Sequence, residues 1–405
     1  MVKESKVRNE LKESGNISII GLVDALIEEA QAMRASDIHI DPCERDLQIR
    51  MRIDGVLQDA HSFPKEIQSE IVSRIKVLAG LRTDEHQTPQ DGRFRVIFED
   101  KEPIDIRVSI APVYYGENVV LRLLSERSEK LSLGILGLND SDRKKVEAAA
   151  RKPYGMILAT GPTGSGKTTT LYTILKTLNT REVSVITIED PIEYAIEGIN
   201  QIQANPMTGL TFANGLRSVL RQDPDIIMVG EIRDPDTANL AVNTALTGHL
   251  MLSTLHTNDA ATTLPRLLDL GLEPYLITTT VNIVIGQRLV RKICEHCKKS
   301  HKLTESEKKS IAELGNFAAA NIPETMHRGQ GCDECLGSGY RGRIGIYEVM
   351  VIDDAIREAM LEKCSASNIK KMAIERGMTT MVEDGFHKAV EGITTLEEVL
   401  RVIHE

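Results

Sequence analysis

Tryptophan is absent from the 405 residues, and eight tyrosines with six phenylalanines supply every aromatic ring, too few for a platform on which successive nucleobases could stack. No apolar run approaches the roughly 18 to 20 residues needed to span a bilayer, and Met1-Val2-Lys3-Glu4-Ser5 has no signal-peptide core, so the chain reads as cytoplasmic. Basic residues do not dominate. Lys and Arg number 49 against 59 Asp and Glu, a net charge of −10, which disfavours a surface that tracks nucleic-acid phosphates throughout and leaves room only for a local basic groove. Six cysteines are too sparse for a disulfide framework, so a paired Cys-x-x-Cys spacing points to metal or redox chemistry. The sequence has no internal repeat and no low-complexity tract.

What is present is length enough for two or three domains. Ile19, Val23, Leu26, Ala30 and Met33 recur at helical spacing and predict a helix ending near Ser36-Asp37. Leu47, Ile49, Met51 and Ile53 alternate with polar residues before the turn signal Asp54-Gly55. A second helix over Ile67, Ile71, Ile75 and Leu78 and strands around Phe94–Phe98, Ile104–Ile110 and Val119–Leu124 complete a small α+β domain at 17–125, preceded by a charged tail at 1–16. A polar stretch with Gly134 and Gly137 marks a linker at 126–137. Beyond it, over 138–405, the apolar runs Met156–Ala159, Val183–Ile188, Ile226–Val229 and Leu250–Leu255 alternate with helical patterns, the signature of an α/β doubly wound parallel sheet. A Gly- and Cys-containing segment at 290–346 interrupts that pattern, and 347–405 reads as helical.

The strand Met156–Thr160 runs into Gly161-Pro162-Thr163-Gly164-Ser165-Gly166-Lys167-Thr168-Thr169 and then a helix, which is the context a phosphate-binding loop requires. Glycines let backbone amides face inward, Lys167 meets the β- and γ-phosphates, and Thr168 offers a hydroxyl to Mg²⁺. The strand ending in Glu189 delivers carboxylates where doubly wound sheets place ligands. In Asp225–Glu231, Gly230 stands where a Mg²⁺-ligating Asp is usual, and Glu231 is the nearby acid. His256 ends a fourth buried strand at the same edge and could sense the γ-phosphate, although a lone His is more often structural. Arg217 and Arg221 share a helix face at i and i+4, as solvated pairs commonly do. Cys294, Cys297, Cys332 and Cys335 form two Cys-x-x-Cys clips, a tetrahedral structural Zn²⁺ pattern; metal-free thiols or a redox pair are the alternatives. Cys43 and Cys364 read as ordinary packed residues.

Four segments taken together, GPTGSGKTTT, ITIEDPIEY, DPDIIMVGEIRD and STLHTNDA, resemble the Walker A, aspartate, Walker B and histidine boxes of the secretion ATPase superfamily. SDIHIDP, RMRIDGVL and PQDGRF resemble that family's second N-terminal domain. The resemblance implies a RecA-like P-loop ATPase core preceded by a PAS-like α+β domain, and a homohexamer that hydrolyses Mg-ATP to drive pilin-like filaments through an inner-membrane platform protein. It also implies that Arg107 in IDIRVS, Arg122 in VVLRLL, Arg217 and Arg221 bring charge to the phosphates. The tetracysteine segment is similar to that of type II secretion and type IV pilus extension members, whereas retraction members lack it. The further N-terminal domain that docks those members onto the inner-membrane complex has no counterpart here, as in a shortened or naturally short member. Two rivals remain: a nucleic-acid uptake or conjugation motor of the same superfamily, which the acidic balance disfavours, and a nucleotide-binding scaffold, which the intact carboxylates disfavour.

Overall fold

The computed structural model describes residue 7 and residues 18–98, 103–124, 132–305, 308–309 and 322–404. The chain divides into two compact units, Met1–Lys130 and Leu131–Glu405. The charged tail read at 1–16, apart from Val7, and residues 126–131 of the expected linker lie outside the described residues.

Among the described residues, unit 1 is an antiparallel sheet with the helices Ile19–Ala32 and Gln68–Ala79 on one face. The helix Ile19–Ala32 starts at Ser18, whose hydroxyl accepts from the Gly21 amide at 3.2 Å, and buries Leu22, Val23, Leu26 and Ile27. It stops short of the expected Ser36-Asp37 boundary because Arg34 takes a left-handed conformation (φ 58°) and Ala35–Pro42 is strand β1, which the sequence reading missed. The remaining strands are β2 (Asp46–Ile53), β3 (Val56–Pro64), β4 (Gln90–Val96), β5 (Ile104–Val113) and β6 (Gly116–Leu124), in the order β3-β2-β1-β6-β5-β4. Asp54 and Gly55 both have positive φ, the conformation a two-residue hairpin needs. The inward residues Ile38, Ile49, Met51, Ile106, Val108 and Leu121 pack with the helices Ile19–Ala32 and Gln68–Ala79. The other face carries a transverse row: Arg93, Arg107, Arg122, Asp37 and Arg52 pair in register across five strands. Like charges directly opposed cost stability. Buried Asp37 offsets this by accepting from Arg122 Nε at 3.0 Å, with Arg52 Nε 3.6 Å away.

Unit 2 is built on a seven-stranded sheet in the order β15-β12-β7-β11-β10-β8-β9. Its strands are β7 (Gly155–Thr160), β8 (Val185–Glu189), β9 (Asn200–Gln203), β10 (Ile226–Val229), β11 (Leu250–Leu255), β12 (Val281–Ile293) and β15 (Tyr340–Val351); β13 (Lys298–Lys302) and β14 (Thr325–Gly329) form a separate hairpin. From β12 to β9 all neighbours are parallel, and only β15 runs antiparallel, against β12. The central strands are buried on both faces, as their unbroken apolar runs require. Met156 and Leu158 join one core beneath helices that include Pro235–Leu246 and Ala260–Asp269; Ile157 and Ala159 join a second core beneath Lys167–Leu178.

Three sequence readings need correction here. Residues 132–137 are no linker: Ser132 and Gly137 cap the short helix Leu133–Leu136, and Leu133 is buried in unit 2. The 290–346 segment does not interrupt the sheet but extends it, since β12 and β15 form one long hairpin with the cysteines between its ends. The C-terminal helices begin only at Asp354, because β15 continues to Val351. They are Asp354–Leu361, Ala366–Glu375, Met381–Val390 and Leu396–His404. Among the described residues, no helix is long and apolar enough to cross a membrane.

Candidate functional site

The loop Gly161–Gly166 joins β7 to the helix Lys167–Leu178. Gly161 has φ 144°, and a Cβ there would fall 2.3 Å from the Gln287 carbonyl oxygen, so only glycine lets β12 approach the loop this closely. From the same strand, Gln287 Nε2 donates to the Ser165 carbonyl at 2.8 Å. Gly166, with φ 87°, precedes the helix, and no side chain caps it. Its first amides form the positive end of the helix dipole, where anions are favoured. Thr168 and Thr169 lie half-buried in that first turn, Pro162, Thr163 and Gly164 are exposed, and the Ser165 hydroxyl is buried without a hydrogen-bond partner. Lys167 is buried and folds back on the loop, donating to the carbonyls of Gly161 at 2.8 Å and Pro162 at 3.0 Å. Burial holds its pKa down to about 8, with the Glu231 carboxylate pulling the other way.

The two carboxylates differ in their surroundings. Glu189, at the end of β8, is buried and accepts from the Tyr172 hydroxyl, from Thr187 Oγ1 at 2.5 Å and from Gln201 Nε2 at 3.1 Å. Burial and the adjacent Glu189 charge push the Tyr172 phenol far above its ordinary range, so it remains a donor. Glu231, just beyond β10, is instead ion-paired with Arg233, whose Nε lies 2.6 Å away, and faces His256 Nε2 at 3.2 Å. His256 follows β11 directly, and its side chain is 43% exposed. Its neighbour Thr257 ties that loop to β7, because the Thr257 amide donates to Thr160 Oγ1 at 3.2 Å and Thr160 Oγ1 donates to the Thr257 carbonyl at 3.0 Å.

Unit 2 thus brings Lys167, Glu231 and His256 to the carboxyl edge of the parallel strands, and Glu189 to the same edge in a different hydrogen-bonded setting. Arg217 lies on the helix Phe212–Val219 and donates to Asn214 Oδ1 at 2.9 Å. Arg221 falls beyond that helix, contrary to the shared-face expectation, and reaches back to the Arg217 carbonyl at 2.7 Å. Arg107 and Arg122 belong to the transverse row of unit 1. Sequence reasoning missed Tyr172, Gln201, Thr160 and Gln287. Tyr172 and Thr160 are polar within a helix and a strand read as packing, Gln201 and Gln287 lie on strands the sequence reading did not find, and only the tertiary contacts reveal what each does.

The four cysteine sulfurs lie within 4.8 Å of one another, and Cys294, Cys297 and Cys335 are buried. Cys294–Cys332 and Cys297–Cys335 are each 3.8 Å apart and Cys332–Cys335 3.7 Å. A tetrahedron with Zn–S bonds of about 2.3 Å has edges of about 3.8 Å, so the donor set fits zinc. The Cys332 and Gly339 amides each donate to Cys335 Sγ at 3.2 Å. Burial pushes the Cys335 thiol up, but these amides and the neighbouring thiols outweigh it and leave it at about 7. Cys43 lies half-buried in unit 1, and Cys364 packs against the larger core of unit 2.

The geometry agrees with what this chain is similar to. It is 48% identical over 395 residues to the type II secretion system protein E of Pseudomonas aeruginosa, a match covering 98% of this chain and 77% of that protein. It is 47% identical over 378 residues to the type IV pilus assembly ATPase PilB of Thermus thermophilus, covering 93% of this chain but 42% of that longer protein. Among solved structures, the Legionella pneumophila ATPase DotB superposes with a TM-score of 0.70 at 22% identity, over 97% of this chain and 98% of that one, a likeness of fold. The pilus retraction motor PilT with bound ADP superposes with a TM-score of 0.62 at 26% identity, over 93% of this chain and 95% of that one. The family described as type II/IV secretion system protein matches residues 12–401. Since that match runs through both units and the relatives are nearly half identical over the same span, the chain belongs to the type II/IV secretion system protein family.

Proposed function

We propose that the chain hydrolyses ATP and converts that energy into pilin or pseudopilin filament assembly, in type II secretion or type IV pilus extension. The observation that carries this is the loop at Gly161–Lys167 standing beside the Glu231–His256 pair, in a chain nearly half identical to a pilus assembly ATPase and a type II secretion protein. Lys167 exchanges its two carbonyl partners for phosphate oxygens, and the amides of the loop and first helical turn hold the rest of the triphosphate. The Thr168 hydroxyl would hold a Mg²⁺ ion, which would supply neutralisation of phosphate charge. Glu231 acts on the attacking water or on water around the metal, and His256, hydrogen-bonded to it, reads the γ-phosphate. Glu189 is a second carboxylate that can accept a proton from water only once Tyr172 and Gln201 release it. Arg217 and Arg221, with Arg107 and Arg122 by the family resemblance, add positive charge against the transition state.

Around this chemistry we place unit 1 as the PAS-like second N-terminal domain and Cys294, Cys297, Cys332 and Cys335 as holders of one structural Zn²⁺. The working form is a homohexamer at the cytoplasmic side of the inner membrane, engaged with a platform protein. Support comes from the family, from the sulfur geometry and from the tetracysteine segment that extension members share. The test is phosphate release by the purified full chain with Mg-ATP. Lys167→Ala is expected to lower turnover by several orders of magnitude, and a wild-type rate in that variant would sink the assignment.

A further inference from the structure

Glu348 takes no part in the chemistry above, yet it is 1% exposed in the interior of β15. Strand register sets it in one row: Glu348 opposes Gly286, Gly286 opposes Thr160, and Thr160 opposes Leu255. Thr160 and Leu255 are the residues just before Gly161 and His256, so this row lies directly beneath the phosphate loop and the histidine loop. Gly286 makes the row passable. A Cβ at that position would come 2.8 Å from Glu348 Cγ and 3.2 Å from the Ala260 nitrogen.

The carboxylate is bound where two helices begin. It accepts the Ala260 amide at 2.6 Å; burial raises its pKa, and Lys370 with the Ala260 and Met381 amides pulls the other way, as negative charge is favoured at helix N-termini. Lys370 Nζ lies 3.8 Å from Glu348 and donates to Asp259 Oδ2 at 2.8 Å. Asp259 in turn caps the helix Ala260–Asp269 by accepting the Thr262 amide at 2.8 Å. Burial opposes the Lys370 charge, but Glu348 and Asp259 outweigh it and raise its pKa. A carboxylate this deep is costly without its partners. Ala260 directly, and Lys370 through Asp259, bear on the chain that begins at His256, whereas Met381 opens the C-terminal helix Met381–Val390.

We infer that Glu348 and Lys370 are positioning residues for hydrolysis: they fix the first turn of Ala260–Asp269, and with it the His256–Asp259 loop, and they tie that loop to the C-terminal helices Ala366–Glu375 and Met381–Val390. The inference rests on the ATPase reading, in which His256 reads the γ-phosphate. It makes the C-terminal helices a lever on the catalytic edge of the sheet, since a shift of Ala366–Glu375 moves Lys370 and thereby Asp259.

The experiment compares Lys370→Met, Lys370→Arg, Glu348→Gln and His256→Ala, with the double variants Lys370→Met/Glu348→Gln and Lys370→Met/His256→Ala. Each full chain is assayed for kcat, KM for ATP, ATP affinity and Tm at one protein concentration. Lys370→Met is expected to lower kcat about tenfold with ATP affinity within about twofold of wild type, because a displaced catalytic loop costs rate more than binding. Lys370→Arg keeps the charge and should stay near wild type. Adding Glu348→Gln, whose amide oxygen still accepts from Ala260 while the stranded charge is gone, should recover part of the loss. In the His256→Ala background Lys370→Met should add nothing. A wild-type kcat in Lys370→Met, a loss that multiplies onto that of His256→Ala, or a parallel fall of kcat, affinity and Tm would overturn the inference. A wild-type rate in His256→Ala would instead show the failure to lie in the catalytic reading, and this inference would fall with it.

Discussion

Lys167 is a cation held among carbonyls in a low-dielectric loop, and that setting makes its charge conditional. With a pKa of about 8 in place of the ordinary 10.5, the folded chain binds fewer protons here than the unfolded chain between those values. The penalty for keeping the lysine charged is therefore complete below about pH 8 and fades as the pH rises toward 10.5, so this group's cost to stability shrinks across that window. A triphosphate reverses the preference by favouring the ammonium. ATP binding should then take up a proton above about pH 8 and weaken as pH rises further; calorimetry in buffers of different ionisation enthalpy measures this, and no net uptake would contradict it. The second residue-scale question is Glu189. If it accepts a proton from water during turnover, Glu189→Gln should abolish hydrolysis while Tyr172→Phe, which removes one of its three donors, keeps or raises it. If Glu189 only ties the helix Lys167–Leu178 to β8, both variants should lower Tm together and leave comparable residual activity. Rate and Tm measured on both variants separate the two cases.

At the scale of elements, the β12–β15 hairpin does two jobs with one pair of strands. At its inner end Gly286, Gln287 and Glu348 brace the phosphate loop and the histidine loop; beyond its outer end the chain folds into the cysteine cluster, where the Cys294 amide donates to the Gly339 carbonyl at 2.9 Å. Gly329 and Gly339 meet so closely that a Cβ on Gly329 would stand 2.0 Å from the Gly339 carbonyl oxygen, which fixes Gly329 as glycine, while a φ of 77° favours glycine at 339. Elemental analysis of the purified chain should find about one zinc per chain, and replacing Cys294 and Cys332 by Ser should remove it and lower Tm. Metal-free protein with an unchanged Tm would refute the zinc assignment.

For the whole molecule, the question is how units that carry separate charges cooperate. Unit 1 holds a row of arginines tempered by Asp37, and unit 2 holds the phosphate loop. If assembled copies complete the catalytic charge, the Mg-ATPase rate per chain should rise steeply with protein concentration and then level off, and Arg107→Ala and Arg122→Ala should flatten that rise. A flat profile for the wild-type chain at concentrations where it is monomeric would remove assembly from the mechanism.

Sequence alone sufficed for the features that depend on local covalent pattern. The glycine spacing of Gly161–Gly166, the unbroken apolar strands of a sheet buried on both faces and the two Cys-x-x-Cys clips each carry their reason within a few residues, so the phosphate loop and the cysteine set were legible without coordinates. Strand β1 was not, because its alternation is brief and Asp37 is buried by Arg122 from a distant strand. The long hairpin was hidden because the cysteine segment separates its two halves. Nor did the sequence separate Glu189 from Glu231. Glu189 ends an apolar strand and Glu231 lies just past one, and what sets them apart is tertiary: Tyr172 and Gln201 reach one, Arg233 and His256 the other. Glu348 is the plainest case, since a carboxylate within an apolar strand has no local explanation, and only folding brings the Ala260 and Met381 amides and Lys370 around it.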